Sequence, residues 1–357
     1  MKVYIKFIIN TFLKSFLYVF FVMLSLVFIL NILSEVEFFR NVAVESYFPI
    51  YISLLNSPSL IFEMFPFIFL LTTQVFFINL FNNDQIQIFK YSGLKNSKIL
   101  SILSFVTFFL GLLIITLFYN FSSNLKNAYL DIKNKYTTDD KYLAVITNNG
   151  LWIKDTFNGE ISIINASKIK ENFLIDTFIT QFDKNYDVIR NIHSNKINIK
   201  DNTWLAYDAK IYENNTDKTD KLFRLSTNFN YQKIQSLFSN LSSLSIIELF
   251  NLRENYKSLD YSTTEVDLQI HKIISFPIYL TLMTILSSII MFNTKNFNST
   301  TLKISIGLFL SVVIYYVNNF FNVMGKTEKL SLIVSIWVPL TILILINSVM
   351  IYRINEK

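Results

Sequence analysis

Gly325, Lys326 and Thr327 come closest to a catalytic motif, because they end like a nucleotide-binding P-loop. A P-loop needs another glycine five places before this triplet, so that backbone N–H groups can wrap the phosphates. That position holds Phe320. The triplet also falls in a loop that the charge distribution assigns to the outer side of a membrane. We therefore expect no nucleotide site on this chain.

Other catalytic chemistry lacks the residues it requires. The chain has no cysteine and two histidines, His193 and His271, which excludes disulfides, thiolate nucleophiles and a His/Cys metal cluster. No serine lies in a G-x-S-x-G elbow. Glu63 stands almost alone as an ionisable group in the apolar stretches, where it is either functional or interfacial. The sequence predicts no catalytic residue, no metal and no cofactor, so we do not expect an enzyme.

The composition indicates that a bundle of membrane helices positions any functional residues. Of 357 residues, 52% are hydrophobic and only 16% are charged, which is typical of an integral membrane protein. Six apolar stretches have the roughly 20 residues that cross a bilayer as a helix. They lie near residues 11–33, 59–81, 99–120, 272–292, 302–322 and 331–352. The first has no cleavage site after it, so we expect a retained helix.

Positive charges set the orientation of these helices. Lys and Arg are concentrated at both termini, in residues 82–98 and in the loop after the fourth stretch. The short loops on the other side hold Arg40, Lys326 and Lys329 among four glutamates. This bias places both termini and residues 82–98 in the cytoplasm. The polar residues 121–271 then lie outside.

Residues 121–271 show the alternating apolar and polar pattern of a β domain. Short runs rich in Ile, Phe, Tyr and Thr are separated by turn residues such as FNGE at 157–160. The runs lie at 142–147, 151–155, 161–165, 173–183, 188–199, 203–213 and 221–227. Their spacing favours a β-sandwich or an open roll. A helical period returns at 243–257, and a capping box predicts a further helix start at Ser262.

Residues 82–98 have the pattern of an amphipathic helix between two membrane spans. Ile86, Phe89, Gly93 and Leu94 fall on one helical face. Gly93 near the end fits a helix C-cap. Such a helix either rests on lipid headgroups or enters the groove of a cytoplasmic partner.

Five local motifs follow one another along most of the chain. They are EMFPFIFLL (63–71) with Pro66, DQIQIFKYSGLKNSKIL (84–100) with a Ser92–Gly93 pair, NNGLWIKD (148–155), HKIISFPIYLTLM (271–283) with Pro277, and IVSIWVPL (333–340) with Pro339. Their order and spacing resemble the LptF/LptG permease family, the membrane part of the bacterial lipopolysaccharide exporter. The NNGLWIKD motif resembles the LptG branch more than the LptF branch.

The resemblance implies a membrane α-helical fold with six transmembrane helices and an inserted periplasmic β-jellyroll-like domain, in the bacterial inner membrane. The implied domains are residues 1–120, with the first three transmembrane helices and a cytoplasmic coupling helix at 82–98, and residues 121–240, the periplasmic β-jellyroll-like domain. Residues 241–270 would form a periplasmic helical connector, and residues 271–357 the last three transmembrane helices. A separate cytoplasmic ATPase of the LptB type would drive this ABC-type exporter. A second permease subunit of the LptF/LptG family, a periplasmic bridge protein and lipopolysaccharide would be the other partners, with no nucleic acid.

The resemblance also implies site residues. The ATPase would dock on a coupling helix through Asp84, Gln85, Ile86, Phe89, Lys90, Ser92, Gly93 and Leu94. The family usually has Glu where Gln85 stands, so either Asp84 takes that role or the coupling uses neutral contacts. Basic residues at the outer level would bind headgroup phosphates, and the candidates are Arg40, Lys326 and Lys329. Arg40 alternatively pairs with a nearby glutamate or anchors the chain at the membrane interface.

Two other functions are compatible with the same sequence. One is a membrane-anchored scaffold or sensor that displays a periplasmic β domain, which would have no ATPase partner and would tolerate charge reversal at Lys90 and Lys95. The other is a permease of the same architecture that moves a different lipid.

Overall fold

The chain divides into two compact units. In the computed structural model the described residues are 3–136, 151–170, 172–213, 216–231, 233–234, 240–258, 261–294 and 299–355. The helical unit comprises Met1–Tyr129, Ser242–Ile246 and Thr264–Lys357. The β unit comprises Leu130–Leu241 and Ile247–Thr263. The strand predicted at 142–147 lies outside the described residues.

Long apolar helices build the helical unit. They are α1 (Val3–Phe38), α2 (Phe48–Asn82), α4 (Asn96–Leu113), α5 (Asn120–Asn134), α7 (Thr264–Asn293), α8 (Thr300–Lys326) and α9 (Leu332–Asn355), with a short helix α3 (Gln85–Tyr91) after α2. A π-helical segment, Ile114–Tyr119, joins α4 and α5 into one continuous helix. Within the described residues, six helices are long and apolar enough to cross a membrane, which confirms the six predicted spans.

Glycines let three pairs of helices approach closely. A Cβ on Gly111 of α4 would lie 2.9 Å from Cα of Pro277 in α7. A Cβ on Gly307 of α8 would clash with the Gln74 side chain of α2. Gly325, at the end of α8, is similarly close to Ser335 of α9. Small residues at such contacts are typical of membrane bundles, since they permit backbone packing without a hydrophobic driving force.

Buried amides add hydrogen bonds between the same helices. The Asn31 Nδ2 of α1 donates to the Ser53 carbonyl of α2 at 3.0 Å, and Asn56 Nδ2 donates to Asn31 Oδ1 at 3.1 Å. The fully buried Gln74 donates to the Lys303 carbonyl of α8 at 2.9 Å. These bonds satisfy polar groups that would otherwise be costly inside a membrane.

The β unit contains one antiparallel sheet of six described strands. They are β1 (Leu151–Phe157), β2 (Glu160–Lys170), β3 (Phe173–Phe182), β4 (Val188–Asn198), β5 (Thr203–Glu213) and β6 (Thr216–Ser226), followed by a helix, α6 (Ile246–Ser258), that lies mostly in this unit. The strands pair in chain order, as a meander. The inserted β domain is therefore confirmed. The crossovers that distinguish a jellyroll do not occur among these strands, and the jellyroll likeness stays a prediction.

The sequence explains how the sheet turns and bends. Asn158 and Gly159 have φ of 54° and 87°, as the tight β1–β2 hairpin turn requires. Asp176 of β3 and Asp208 of β5 also have positive φ, a conformation that Asp tolerates better than most residues. In both strands the burial alternation changes phase at the aspartate, so both halves of each strand face the core. Trp204 fills this core, and its Nε1 donates to the Phe229 carbonyl at 2.8 Å.

Two of the divisions between the compact units fall within helices. The β unit begins at Leu130, within α5, because the helix continues unbroken past residue 120. Residues 247–263 also belong to the β unit. The helix predicted to start at Ser262 starts at Thr264, as α7.

Candidate functional site

Two groups of residues lie at different heights along α2 in the helical unit. One is the coupling segment, residues 84–94, which follows the end of α2. The other is the outer basic cluster, Lys126, Lys272 and Lys326, of which the first two feel the charge of Glu63 in the middle of α2. Glu63 and Asp84 are 21 residues apart in the chain, which corresponds to about 32 Å along a helix. This is close to the roughly 30 Å thickness of a bilayer core.

Left-handed residues define both ends of α3 in the coupling segment. Asp84 is the N-cap residue and has φ of 52°. Gly93 follows the helix with φ of 76°, its N–H donates to the Lys90 carbonyl at 2.9 Å, and the Leu94 N–H donates to the Phe89 carbonyl at 2.9 Å. This is the C-cap predicted for Gly93. The segment is thus a short, well-terminated helix.

The predicted apolar stripe of α3 faces the protein itself. Ile86 is buried in the core of the helical unit, and Phe89 and Leu94 pack against that core. The Phe89 ring meets the Phe7 ring of α1 edge-on, with centroids 6.0 Å apart. The stripe therefore anchors α3 to the bundle and does not offer a free apolar surface.

The opposite face of α3 is available to a partner. Ile88 is 58% exposed and Tyr91 is 88% exposed, and they lie one turn apart. Asp84, Lys90 and the Ser92–Gly93 pair are exposed as well, whereas Gln85 is half-buried. Sequence reasoning left Ile88 and Tyr91 out of the candidate site. Two apolar residues at i and i+3, off the main stripe, were the signal for a second contact face. An open cavity of about 330 Å³ lies next to this face, between Gly93 and Ser101.

Aromatic contacts hold the outer basic cluster in place. The Phe62 ring of α2 stacks on the Phe276 ring of α7 with centroids 4.7 Å apart, and it lies 5.0 Å from the Tyr119 ring. Glu63 follows Phe62 directly in the chain. Lys272 is one helical turn from Phe276, and Lys126 is two turns from Tyr119, so the aromatic contacts bring together the three helices that carry these charges. Sequence reasoning missed Lys126 and Lys272, because helices distant in sequence bring them together.

The α8 terminus adds Lys326 to the cluster. Gly325, the residue before it, is so close to α7 that an added Cβ would lie 3.2 Å from the Leu268 side chain. The carboxylate of Glu63 attracts Lys126 and Lys272, whereas the Lys326 ammonium repels Lys272. Glu63 and Lys326 are exposed and the other two lysines are half-buried. Three cations around one anion leave a positive surplus that favours a negatively charged ligand.

Arg40 is exposed after the end of α1, and two of its neighbouring acids, Glu35 and Glu45, have other partners. Glu35 is only 1% exposed and accepts a hydrogen bond from the Tyr129 hydroxyl at 2.8 Å. Glu45 hydrogen-bonds to Tyr47 and raises the pKa of that phenol. Within the described residues, Arg40 forms no ion pair with Glu35, Glu37 or Glu45. The alternative in which Arg40 pairs with a local glutamate is not the arrangement found.

The remaining sequence candidates occupy ordinary structural positions. The Gly325–Thr327 triplet ends α8, and the Thr327 N–H donates to the Val323 carbonyl at 3.0 Å, a helical bond. His193 lies 3.0 Å from Asp176 and stacks on Phe178 in the sheet. His271 bonds the Asp267 carbonyl of its own helix at 2.9 Å. Lys329 is exposed in the loop after α8.

Comparison with known proteins identifies the family. The family model described as "Lipopolysaccharide export system permease LptF/LptG" matches residues 6–353, nearly the whole chain. The chain belongs to the LptF/LptG family. Members are membrane components of a transporter, so the LptF/LptG assignment agrees with the six helices, the inserted β unit and the predicted family. The match does not separate LptF from LptG. Among curated proteins, none matches this chain significantly.

Proposed function

We propose that this LptF/LptG chain is the permease subunit of an ABC-type exporter that extracts lipopolysaccharide from the inner membrane and passes it to a periplasmic bridge protein. The family match over residues 6–353 carries this proposal. The positive charge bias supports cytoplasmic termini, with the coupling segment on the same side and the β unit in the periplasm. The outer basic cluster then lies at the periplasmic end of the spans.

A separate ATPase of the LptB type would dock on the exposed face of α3. Ile88 and Tyr91 supply apolar contact area, while Asp84 and Lys90 supply charges at its border. This arrangement resembles an interface with an aromatic anchor and a polar rim. The inward-facing residues of α3 would contribute to coupling indirectly, because they fix α3 to the bundle that must move when ATP is used. These residues are Ile86, Phe89 and Leu94.

The outer basic cluster would bind the phosphates of the lipopolysaccharide headgroup. Lys126, Lys272 and Lys326 converge from three helices, and charge-assisted bonds between ammonium groups and phosphate oxygens are strong. Arg40 and Lys329 are further exposed cations near the ends of α1 and α8. The acyl chains of the lipid would lie against the apolar helices within the membrane.

The second permease subunit would cover α1 and α8. These two spans bury the smallest share of their surface within this chain. The exposed face of α8 includes Tyr315, Tyr316 and Asn319 as well as apolar residues. Polar side chains are unfavourable against lipid tails, so this part of α8 suits a protein or headgroup contact better than a lipid contact.

Purification of the transporter complex from membranes tests the proposed docking of the ATPase, with Gly93 as the substituted residue. Replacing Gly93 by Trp puts a bulky side chain at a left-handed position, which should remove the ATPase from the purified complex while the spans stay folded. Gly159→Trp is the matched control, since Gly159 is also left-handed but lies in the β1–β2 hairpin. Mass spectrometry of co-purified proteins and lipids reports the outcome. ATPase retained at the normal level by Gly93→Trp would contradict the docking assignment.

A further inference from the structure

A row of polar side chains interrupts the apolar core of the β unit near one end of the sheet. Ser162 of β2, Gln181 of β3 and Arg190 of β4 are neighbours across three strands, because Gln181 pairs with each of the other two. Each lies two residues from a buried isoleucine of its own strand, so all three face the core. Ser162 and Gln181 are buried and Arg190 is half-buried. Polar groups in a core are costly unless they are hydrogen-bonded, so the bonds within the row determine its role.

Contacts along this row fix the orientation of the Arg190 guanidinium. Gln181 Nε2 donates to Ser162 Oγ at 3.1 Å, and Gln181 Oε1 accepts a hydrogen bond from Arg190 Nε. The Arg190 guanidinium carbon also lies 5.4 Å from the centre of the Phe223 ring, which comes from β6 and packs against the core of the β unit. The guanidinium is therefore held at one edge by an amide and on one face by an aromatic ring.

The two terminal nitrogens of Arg190 remain for a ligand. A guanidinium has five N–H donors, and the bond from Nε to Gln181 uses one of them. Within the described residues, Arg190 Nη1 and Nη2 donate no hydrogen bond, and Arg190 forms no ion pair with an acid. The planar fork of two terminal nitrogens matches two oxygens of a phosphate or a carboxylate. Because the fork is already oriented, less conformational freedom is lost when such a group binds.

We infer that Arg190 is the centre of a site on the β unit that binds an oxyanion, a phosphate or a carboxylate, carried by a sugar. The choice of a sugar rests on the proposed function, because lipopolysaccharide has a saccharide headgroup. Gln181 is a positioning residue, since it contacts Arg190 and orients its guanidinium. The site is distinct from the outer basic cluster, whose three lysines belong to the helical unit.

Arg224 of β6 offers an internal comparison. It follows Phe223 directly in the chain and is exposed. In the part of the chain that the structure describes, Arg224 has no hydrogen-bond, ion-pair or ring partner for its side chain. An exposed, unheld side chain must lose its freedom to hold an oxyanion, and water competes for both groups, so the gain is small. Arg224 is therefore the matched control for Arg190.

Nitrogen-15 NMR of arginine side chains tests the inference, because the chain has only five arginines: Arg40, Arg190, Arg224, Arg253 and Arg353. The full-length chain is labelled at arginine Nε, purified in detergent and titrated with glucose 6-phosphate, glucuronate or glucose. The signal that is missing from Arg190→Lys identifies Arg190, and Arg224→Lys identifies Arg224 in the same way.

We expect at least one of the two charged sugars to shift the Arg190 signal in a saturable way, and glucose to leave it in place. The charged sugar that saturates the shift at the lower concentration identifies the preferred oxyanion. The Arg224 signal should not move. No shift of the Arg190 signal with either charged sugar, or equal shifts of Arg190 and Arg224, would overturn the inference.

Gln181→Leu tests the positioning role. The substitution keeps the charge of Arg190 and removes the acceptor of its Nε, so we expect about tenfold weaker binding of the charged sugar, as loss of one charge-assisted hydrogen bond implies. The Arg190 signal of this variant, titrated in the same way, gives the affinity. If Gln181→Leu binds as tightly as the wild type, Gln181 does not position Arg190. If Gln181→Leu does not fold, Arg190→Lys decides instead, because equilibrium dialysis with radiolabelled sugar should show weaker binding when the charge stays but the fork is lost.

Co-purification separates this inference from the proposed function. If the wild-type complex retains lipopolysaccharide and the ATPase but neither charged sugar shifts the Arg190 signal, the oxyanion site is wrong and the permease stands. If a charged sugar shifts the Arg190 signal but no lipopolysaccharide co-purifies, the site stands and the proposed lipid is wrong.

Discussion

In the helical unit, Gly, Ser, Asn and Gln make several close contacts between helices beside a core of Phe, Ile and Leu, whereas the β unit is filled by Ile, Leu and Trp204. Buried and exposed positions also alternate along much of β1 and β5, as in a domain surrounded by water. Between helices in a membrane there is no such gain from removing apolar groups from water, because lipid tails are equally apolar. Close packing and hydrogen bonds must therefore hold the helices in one specific arrangement, whereas the burial of apolar side chains does so in the β unit.

Trp204→Ala should give the largest effect and should be confined to the β unit. Trp204 is fully buried, so its loss leaves a cavity that costs about 4 kcal/mol in the free energy of unfolding. Limited proteolysis and thermal unfolding of the purified protein measure this change. Trp204→Phe is the control, since it keeps most of the ring volume and loses the hydrogen bond to the Phe229 carbonyl. If Trp204→Ala also strongly destabilised the helical unit, the stabilities of the two units would not be independent, contrary to this prediction.

Gly111→Leu should give the corresponding effect in the helical unit. The added side chain would meet the Pro277 backbone of α7, which cannot rotate away, so we expect a cost of about 3 kcal/mol. Thermal unfolding in detergent, followed by helical circular dichroism, checks this value. Leu112→Phe adds volume on the exposed side of the same helix and should be nearly neutral. Equal effects of the two variants would show that close approach at Gly111 does not matter.

Asn31→Leu should have a smaller effect, because a single interhelical hydrogen bond in a membrane is weak. It leaves the Asn56 Nδ2 without its acceptor, at a cost of about 1 kcal/mol. The double variant Asn31→Leu with Asn56→Leu should recover much of that loss, since both polar partners are then gone. A double-mutant cycle on unfolding free energies measures the coupling. Additive losses would mean that the two amides act independently.

High pH should destabilise the β unit slightly through Tyr261. Burial raises the pKa of this phenol above its ordinary value of 10.0, and its hydroxyl also bonds the Lys154 backbone. A raised folded-state pKa gives stability that is present below about pH 10 and is lost as the pH rises through the folded value. Unfolding midpoints between pH 8 and pH 11 should therefore fall more for the wild type than for Tyr261→Phe. Identical pH profiles would refute this role.

Most of the architecture follows from local patterns in the sequence. The six spans were predictable because length and hydropathy alone define a membrane helix, and β1–β6 because their residues alternate. The bends at Asp176 and Asp208 were not predictable, since a left-handed aspartate inside a strand has no local signature. The division between the units within α5 has no local signature, because no glycine or proline interrupts that helix.

The candidate site was only partly predictable for a different reason. The amphipathic stripe of α3 was recognised, but a stripe does not tell which surface it covers, and Ile86 and Phe89 cover the protein's own core. The exposed pair Ile88 and Tyr91 therefore emerged only from the structure. Likewise, Lys126 and Lys272 join Lys326 only after the helices have packed.

The central claim is that a separate ATPase acts through the exposed face of α3 to export a phosphorylated lipid. Transfer of lipopolysaccharide from proteoliposomes to an external acceptor tests it most directly, with and without ATP. We predict that the wild-type complex transfers lipid only with ATP, and that Ile88→Asp abolishes transfer while lipid binding and the unfolding midpoint stay normal. Transfer by Ile88→Asp at the wild-type rate, or transfer by the wild type without ATP, would contradict the account.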